Sequence, residues 1–357
     1  MSWSWLEKID KAFANWQLKR CHNINDLRKA ARIRMPSPMF HYMDGAAEDE
    51  VNLRRSCSSF DDYELLPRTL RDISQIDPST TLLGERIDIP VFCAPTGMSR
   101  LFHHDGELAV SRAAARANTI YSLSTMSTYN IEDVARVCAG AKWFQIYVFK
   151  DRELVSEFID RCKREKYHAM CLTVDLALTC NRERDLRTGM TIPPKFSLAT
   201  WFDFALHPLW SLNALTTPPF SLANVVHRVS DASGEDVTTL MDYVSGQFDR
   251  TVTWEDAAKM AEEWGGPFVV KGILTVDDAV RAVDASSTTP RRRSTCCPKS
   301  PRPWVTVSRS SSTAESAAVR MSSRHLRSAR TPYRSAEATC SVLAPAAKPA
   351  SIVHSRS

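Results

Sequence analysis

The reading of the chain turns on Met170–Arg187, MCLTVDLALTCNRERDLR. Its first residues belong to an apolar run, Ala169–Val174, that stops at Asp175; a charged cluster of Arg182, Glu183, Arg184, Asp185 and Arg187 follows. A short apolar run ending in a polar residue and a loop reads as a buried parallel strand. Where such a strand ends, its residues face the ligand side of an α/β barrel or a doubly wound sheet. Thr173, Asp175 and Arg182 are therefore candidates for a site. The competing reading has Asp175 capping the next element and the arginines solvated.

Upstream of this stretch the sequence has a rhythm. Asn25–Arg34 reads as a helix stopped by Pro36, and Pro38–Glu50 (PMFHYMDGAAEDE) as a short helix with an acidic end. Pro90–Ala94 is strand-like and runs into Pro95, Thr96 and Gly97. An Ala-rich helix over Gly106–Asn118 leads to a strand at Thr119–Leu123 that ends in Ser124 and Thr125. Asn130–Cys138 is a helix with an Asn cap, Trp143–Phe149 a strand, and Asp151–Lys166 a capped amphipathic helix. The pattern βαβαβαβ implies a parallel sheet.

An insertion, Leu176–Gly265, follows; within it Thr200–Phe220 is aromatic and broken by proline, with no clear period. The rhythm resumes with a helix at Trp254–Trp264, a strand at Pro267–Val270 ending in Lys271 and Gly272, and a helix at Val276–Ala285. There it stops.

Composition divides the chain at the same point. Over 357 residues, 43% are hydrophobic and 24% charged, ordinary for a globular protein. Residues 286–357 hold 13 Lys+Arg against 2 Asp+Glu, with 17 serines and no glycine; the remainder holds 33 against 39. Two kinds of sequence are joined here. A chain of 357 residues could hold one barrel or two domains, whereas its Ser/Arg-rich part, 286–357, cannot build a packed core and is expected to be disordered, leaving 1–285 for the folded part. The ten cysteines form no CxxC pair, so a reducing cytoplasmic compartment is expected and no metal site. MSWSWLEKIDKAF lacks the apolar core of a signal peptide, and no run approaches the roughly 18 apolar residues of a membrane span.

Each strand delivers polar groups at or just past its end: Thr96; Ser124; Gln145 and Tyr147; Thr173 and Asp175; Lys271. Repetition over successive strands points to a site across the C-terminal face of a barrel. There is no GxGxxG and no GKS/T, so a nucleotide loop is excluded. Hydroxyls, an amide and a lysine suit a planar, hydrogen-bonding cofactor.

APTGM at Ala94–Met98, YSLST at Tyr121–Thr125, FQIYVFKDR at Phe144–Arg152, LTVD with RERDLR, and VVKGILTVDDA at Val269–Ala279 resemble the FMN-dependent L-2-hydroxy-acid dehydrogenases, which include lactate and mandelate dehydrogenases and glycolate oxidase. The resemblance covers about residues 20–285. It implies a (β/α)8 TIM barrel, truncated here after the fifth strand, with FMN as cofactor and a small L-2-hydroxy acid, L-lactate first, as substrate. By the same resemblance Pro95, Thr96 and Gly97 line the flavin; Ser124, Gln145 and Thr173 hydrogen-bond its ring; and Lys271 sits at its N1–O2 edge. Arg182 would grip the substrate carboxylate, Tyr42 and Tyr147 would place hydroxyls on the substrate, and Asp175 would orient the imidazole of a catalytic base. Intact relatives imply a quinone or cytochrome acceptor, a homo-oligomer and an inner-membrane surface for the aromatic part of the insertion.

The family carries its base in a Ser-Asn-His-Gly-Gly-Arg loop on the sixth strand, and no such loop follows Ala285. His325 and His354 lie in the tail, and His103–His104 reads as a solvated turn. Read one base out of frame, Ser308–Arg320 permits Glu-Val-Ile-Val-Asp-Gly-Gly-Ile-Arg-Arg-Gly-Thr, and Arg327–Glu337 permits Leu-Gly-Ala-Asp-Ala-Val-Ser-Ile-Gly-Arg. Both resemble the family's glycine-containing seventh and eighth strand loops. The expectation is a deletion that removed the base and shifted the frame, leaving the chain catalytically dead. Two other readings stand beside it: a non-catalytic remnant, and a binding protein whose basic tail meets an acidic partner. The tail offers only Trp304 and Tyr333 as aromatics, so nucleic acid is not the expected partner.

Overall fold

A computed structural model describes residues 15–288, apart from 63–64, 68, 177–179, 192–193, 219, 231–242 and 245, together with 305–309 and 316–319. Its centre is a run of parallel strands: β3 (Tyr121–Ser124), β4 (Lys142–Ile146), β5 (Ala169–Thr173) and β6 (Phe268–Lys271), paired in that order. The expected strand at Pro90–Ala94 contracts to one parallel bridge, Cys93 to Tyr121. Cys93 N–H donates to Ile120 O at 3.0 Å and Ser122 N–H to Cys93 O at 3.1 Å. Pro90 and Pro95 lack the N–H groups a longer ladder needs. With that bridge the sheet holds the five expected barrel positions.

An antiparallel hairpin precedes them, β1 (Thr80–Leu82) and β2 (Glu85–Ile87), which the sequence pattern does not predict. Leu83 and Gly84 both take positive φ, 54° and 96°, as a two-residue type I′ turn requires. Leu82, Leu83 and Ile87 pack with Phe92, Trp143, Ala169, Cys171 and Val269 in one buried cluster. The strand residues of that cluster alternate along β4, β5 and β6, so the hairpin plugs the barrel interior from its N-terminal end. His168 fastens it, with Nε2 3.0 Å from Leu83 O and Nδ1 3.0 Å from Glu85 Oε1.

The opposite faces of the same strands meet the helices. Phe144, Ile146, Met170 and Leu172 pack with Leu154, Phe158, Met260 and Trp264 in the larger core. The helices α4 (Gly106–Arg116), α5 (Ile131–Val137), α6 (Arg152–Arg164), α10 (Trp254–Trp264) and α11 (Val276–Thr288) supply this layer. Their starts are set by local chemistry: Asn130 accepts from Asp133 N–H at 2.6 Å, Asp151 from Leu154 N–H at 3.0 Å, and Thr253 with Asp256 forms a capping box.

Outside the barrel lie α1 (Ile24–Arg34), α2 (Ser37–Asp44), α3 (Val51–Ser58), α7 (Glu183–Thr188), α8 (Leu198–Leu206) and α9 (Pro208–Thr216). The cap of α1 is Asn23, two residues ahead of the expected run. The expected Pro38–Glu50 helix ends at Asp44, because the chain turns out at Gly45. A Cβ there would lie 2.6 Å from His41 O and 3.2 Å from Arg184 Cδ. The aperiodic Thr200–Phe220 proves to be the helical pair α8 and α9, divided at Pro208. Phe204 and Trp210 stack at 5.5 Å and lie against Met35, Met39 and Phe40.

Beyond β6 the sheet continues into the tail. Strand β7 (Val305–Arg309) pairs parallel to β6, and β8 (Ser316–Val319) pairs antiparallel to β7. The sequence reading expects a disordered tail, and beyond Thr288 these two strands are the part of it that the structure describes. An edge strand presents unpaired N–H and C=O groups that any extended segment can satisfy. The order β3 to β8 is linear and the described strands do not close. The rest of the tail, with His325 and His354, lies outside the described residues.

A charged network ties the outer helices together. Asp44, 8% exposed, accepts from Arg28 Nη2 at 2.8 Å and from Arg184 Nη1 at 2.9 Å, and Arg184 also reaches Glu50. Burial pushes the Asp44 carboxyl up, but the hydrogen bonds from Arg28 and Arg184 outweigh it and hold it below 3.8. A depressed carboxyl stabilises the fold above its unfolded pKa, and that contribution disappears as pH falls through the folded value. We expect the urea midpoint to drop as pH falls below about 4. Asp44→Asn should cost about 2 kcal/mol at pH 7 and flatten that limb. An unchanged acid limb in this variant would remove the assignment.

Candidate active site

Parallel register sets the site. Ser124 pairs with Gln145, Gln145 with Cys171, Cys171 with Val269, and Thr173 with Lys271. Because side chains alternate, Ser124, Gln145, Thr173 and Lys271 share the face turned into the barrel, one layer above Trp143, Cys171 and Val269. Ser124 Oγ donates to Gln145 Oε1 at 3.0 Å and accepts from Met126 N–H at 3.2 Å. Gln145 Nε2 and Thr173 Oγ1 are buried and have no hydrogen-bond partner among the described residues. Burial pushes the Cys171 thiol up to about 12, so it stays neutral beneath this layer.

Lys271 Nζ lies 3.3 Å from Asp175 Oδ2 and 3.4 Å from Oδ1, with both side chains largely buried. Gly272 permits this approach: its φ is +106°, and a Cβ on it would lie 2.5 Å from Asp175 Cβ. Tyr147 meets Phe248 edge-on at 5.1 Å. Together with Thr173, Trp254 and Gly272 these two rings line a cavity of about 300 Å³. The loop through Pro95, Thr96 and Gly97 rests on the loop after β3, where Met98 N–H donates to Met126 O at 2.9 Å. A Cβ on Gly97 would lie 2.9 Å from Met126 Cβ.

Tyr42 and Arg182 form a second group, carried by α2 and by the residue before α7. The Arg182 guanidinium lies over the Tyr42 ring at 5.1 Å, its Nη2 donates to Tyr42 O, and its Nε donates to Asp185 Oδ2 at 2.5 Å. Burial raises the Asp185 carboxyl against the opposing pull of Arg182. Burial likewise raises the Tyr42 hydroxyl, so it is protonated at neutral pH.

The pattern of residues 31–289 matches the family model of FMN-dependent dehydrogenase. The chain belongs to the FMN-dependent dehydrogenase family. Relatives of this family include a Mycobacterium tuberculosis protein named "Putative L-lactate dehydrogenase", 40% identical over 73% of this chain and 61% of its own length. The L-lactate dehydrogenase of Xanthobacter autotrophicus is 35% identical over 72% of this chain and 66% of its own length. The chain thus spans less than two thirds of these curated relatives. Among solved structures, the monotopic membrane protein (S)-mandelate dehydrogenase superposes with a TM-score of 0.71 at 33% identity, over 74% of this chain and 70% of that one. The fold is the family's TIM barrel, cut off after its fifth position, and the family's cofactor is FMN.

The interior layer fits that cofactor. A buried amide donor on Gln145 and a buried hydroxyl on Thr173 lack partners among the described residues, and a planar ring with N–H and C=O edges would supply them. Three residues that matter to the geometry escape the sequence reading. Gly272 is needed for its backbone, and Asp185 sits one turn past Arg182. The third, Glu107, is fully buried and accepts from Ser99 N–H at 3.1 Å and Thr128 N–H at 3.0 Å, joining two rim loops. Only Asp185 had a visible signal, its i+3 spacing from Arg182.

Gly272→Ala should cost more than about 1 kcal/mol from the left-handed backbone alone, with the Asp175 clash added. A urea midpoint equal to that of the unaltered chain would show that Asp175 does not need this approach.

Proposed function

We propose that the described barrel is the flavin- and substrate-holding half of an enzyme that oxidises a small L-2-hydroxy acid, L-lactate first, to the 2-oxo acid. The supporting observation is the unpartnered buried pair Gln145 Nε2 and Thr173 Oγ1, one layer above a filled barrel core and on the same face as Lys271. FMN, when bound, accepts two electrons from the substrate carbon. In this reading Pro95, Thr96 and Gly97 line the ring while Ser124, Gln145 and Thr173 bond its edge. Lys271 places positive charge where a reduced ring carries negative charge. Arg182 holds the substrate carboxylate, and Tyr42 and Tyr147 direct its hydroxyl. The names of the lactate and mandelate dehydrogenase relatives support this substrate class.

The same reading makes this chain inactive. Asp175, which would orient an imidazole, is engaged with Lys271, and no histidine loop follows α11. Losing a general base costs about 10²–10⁴ in rate, before the missing strands are counted. The division at 285 and a shifted frame beyond it belong to this proposal, as do a quinone or cytochrome acceptor and a homo-oligomer. Peripheral membrane contact is supported by the outward face of α8, where Leu198, Trp201, Phe202 and Leu206 are exposed, and by the monotopic mandelate dehydrogenase. No helix among the described residues is long and apolar enough to cross a membrane.

Titration of the purified chain with FMN should quench flavin fluorescence, and Gln145→Leu should weaken binding about tenfold, the worth of one buried hydrogen bond or slightly more. Equal affinity for both proteins would sink the cofactor assignment. Oxidation of L-lactate should be undetectable with any acceptor, and turnover with stoichiometric FMN would overturn the claim of inactivity. Sequencing the gene tests the frame: codons at Ser308–Arg320 that cannot encode Val-Asp-Gly-Gly one base out would end that idea.

A further inference from the structure

Arg182 has two donor edges, and the described residues occupy one of them. Its Nε donates to Asp185 Oδ2 at 2.5 Å and one Nη2 hydrogen goes to Tyr42 O, while the ring of Tyr42 supports the guanidinium plane at 5.1 Å. Among the described residues Nη1 makes no hydrogen bond, so the Nη1–Nη2 end remains for a carboxylate, which guanidinium binds bidentately. Asp185 is 7% exposed, and its Oδ1 is buried with no hydrogen-bond partner among the described residues. Its own backbone N–H donates to Arg182 O at 3.0 Å, so the carboxylate is held at a fixed place beside the arginine. A buried carboxylate that keeps one oxygen unsatisfied to hold an arginine has a cost in stability. A solvated arginine would not need it.

We propose that Asp185 is a positioning residue for Arg182: it occupies the Nε edge and thereby presents the Nη1–Nη2 end to the carboxylate of the substrate. This rests on the reading of Arg182 as the carboxylate clamp. Burial raises the Asp185 carboxyl while the hydrogen bond from Arg182 pulls it down. What the geometry requires of Asp185 is an acceptor oxygen 2.5 Å from Nε. A charge fixed beside the clamp would repel the incoming carboxylate, so an isosteric neutral acceptor should serve as well.

The test uses the full chain saturated with FMN and titrated calorimetrically with pyruvate, the 2-oxo acid counterpart, as probe. Asp185→Ala should weaken pyruvate binding about tenfold, the scale of one hydrogen bond to a charged group. Asp185→Asn, which keeps an acceptor for Nε, should stay within about threefold of the unaltered chain. In an Arg182→Lys background, which has no Nε edge, Asp185→Ala should add no further loss; a merely structural role would add its loss there too. If Asp185→Ala binds as tightly as the unaltered chain while Arg182→Met does not bind, the positioning role is wrong and the clamp survives. If Arg182→Met binds pyruvate as the unaltered chain does, or the unaltered chain binds none, the clamp itself is wrong and this inference goes with it.

Discussion

The register of the parallel strands is the constraint on which the remaining geometry depends. Pairing Ser124 with Gln145 and Thr173 with Lys271 fixes which face of each strand enters the barrel. A slip of one residue would exchange Gln145 for Phe144 or Ile146 and Thr173 for Leu172, reversing the polar and apolar faces. Two separate burials prevent it. The helix layer needs Phe144, Ile146, Met170 and Leu172 outward, while the hairpin plug needs Trp143, Ala169 and Cys171 inward. The polar layer therefore sits where strand ends leave off being core, without any residue of its own specifying that height.

At the rim, charge is arranged in pairs. Lys271 and Asp175 meet because Gly272 lacks a side chain, and Arg182 is gripped from two sides by Tyr42 and Asp185. Each pair is partly buried, so each partner depends on the other to avoid an uncompensated charge. The two pairs differ in what they leave available. The Asp175 carboxylate faces the lysine, whereas the arginine keeps a donor edge.

The barrel edge has a different logic. Main-chain hydrogen bonding does not read side chains, so β6 accepts Val305–Arg309 although that sequence has no barrel pattern. The following strand then turns antiparallel, which a βαβ unit does not do. Such pairing covers an edge without building the loops that a closed barrel carries at its C-terminal face.

Elements made by short-range chemistry were legible from the residues. Asn130 and Asp151 announce their helices because a side-chain oxygen beside free N–H groups acts within three residues, and the apolar run before Asp175 announces β5 because burial on both faces demands it. The gathering of Ser124, Gln145, Thr173, Lys271 and Asp175 at neighbouring strand ends was legible from repetition along the sequence. The hairpin plug, the helical pair in the insertion and the tail strand on β6 were not, since each is stabilised by surface brought from elsewhere in the chain. Nor were the partners that site residues find far along the chain. Asp175 reaches Lys271 across 96 residues and Arg182 reaches Tyr42 across 140, and no local periodicity carries information over such separations. Residue identity supplied the chemistry; the choice of which groups face one another was made by packing, because only the folded sheet brings strand ends to a common rim.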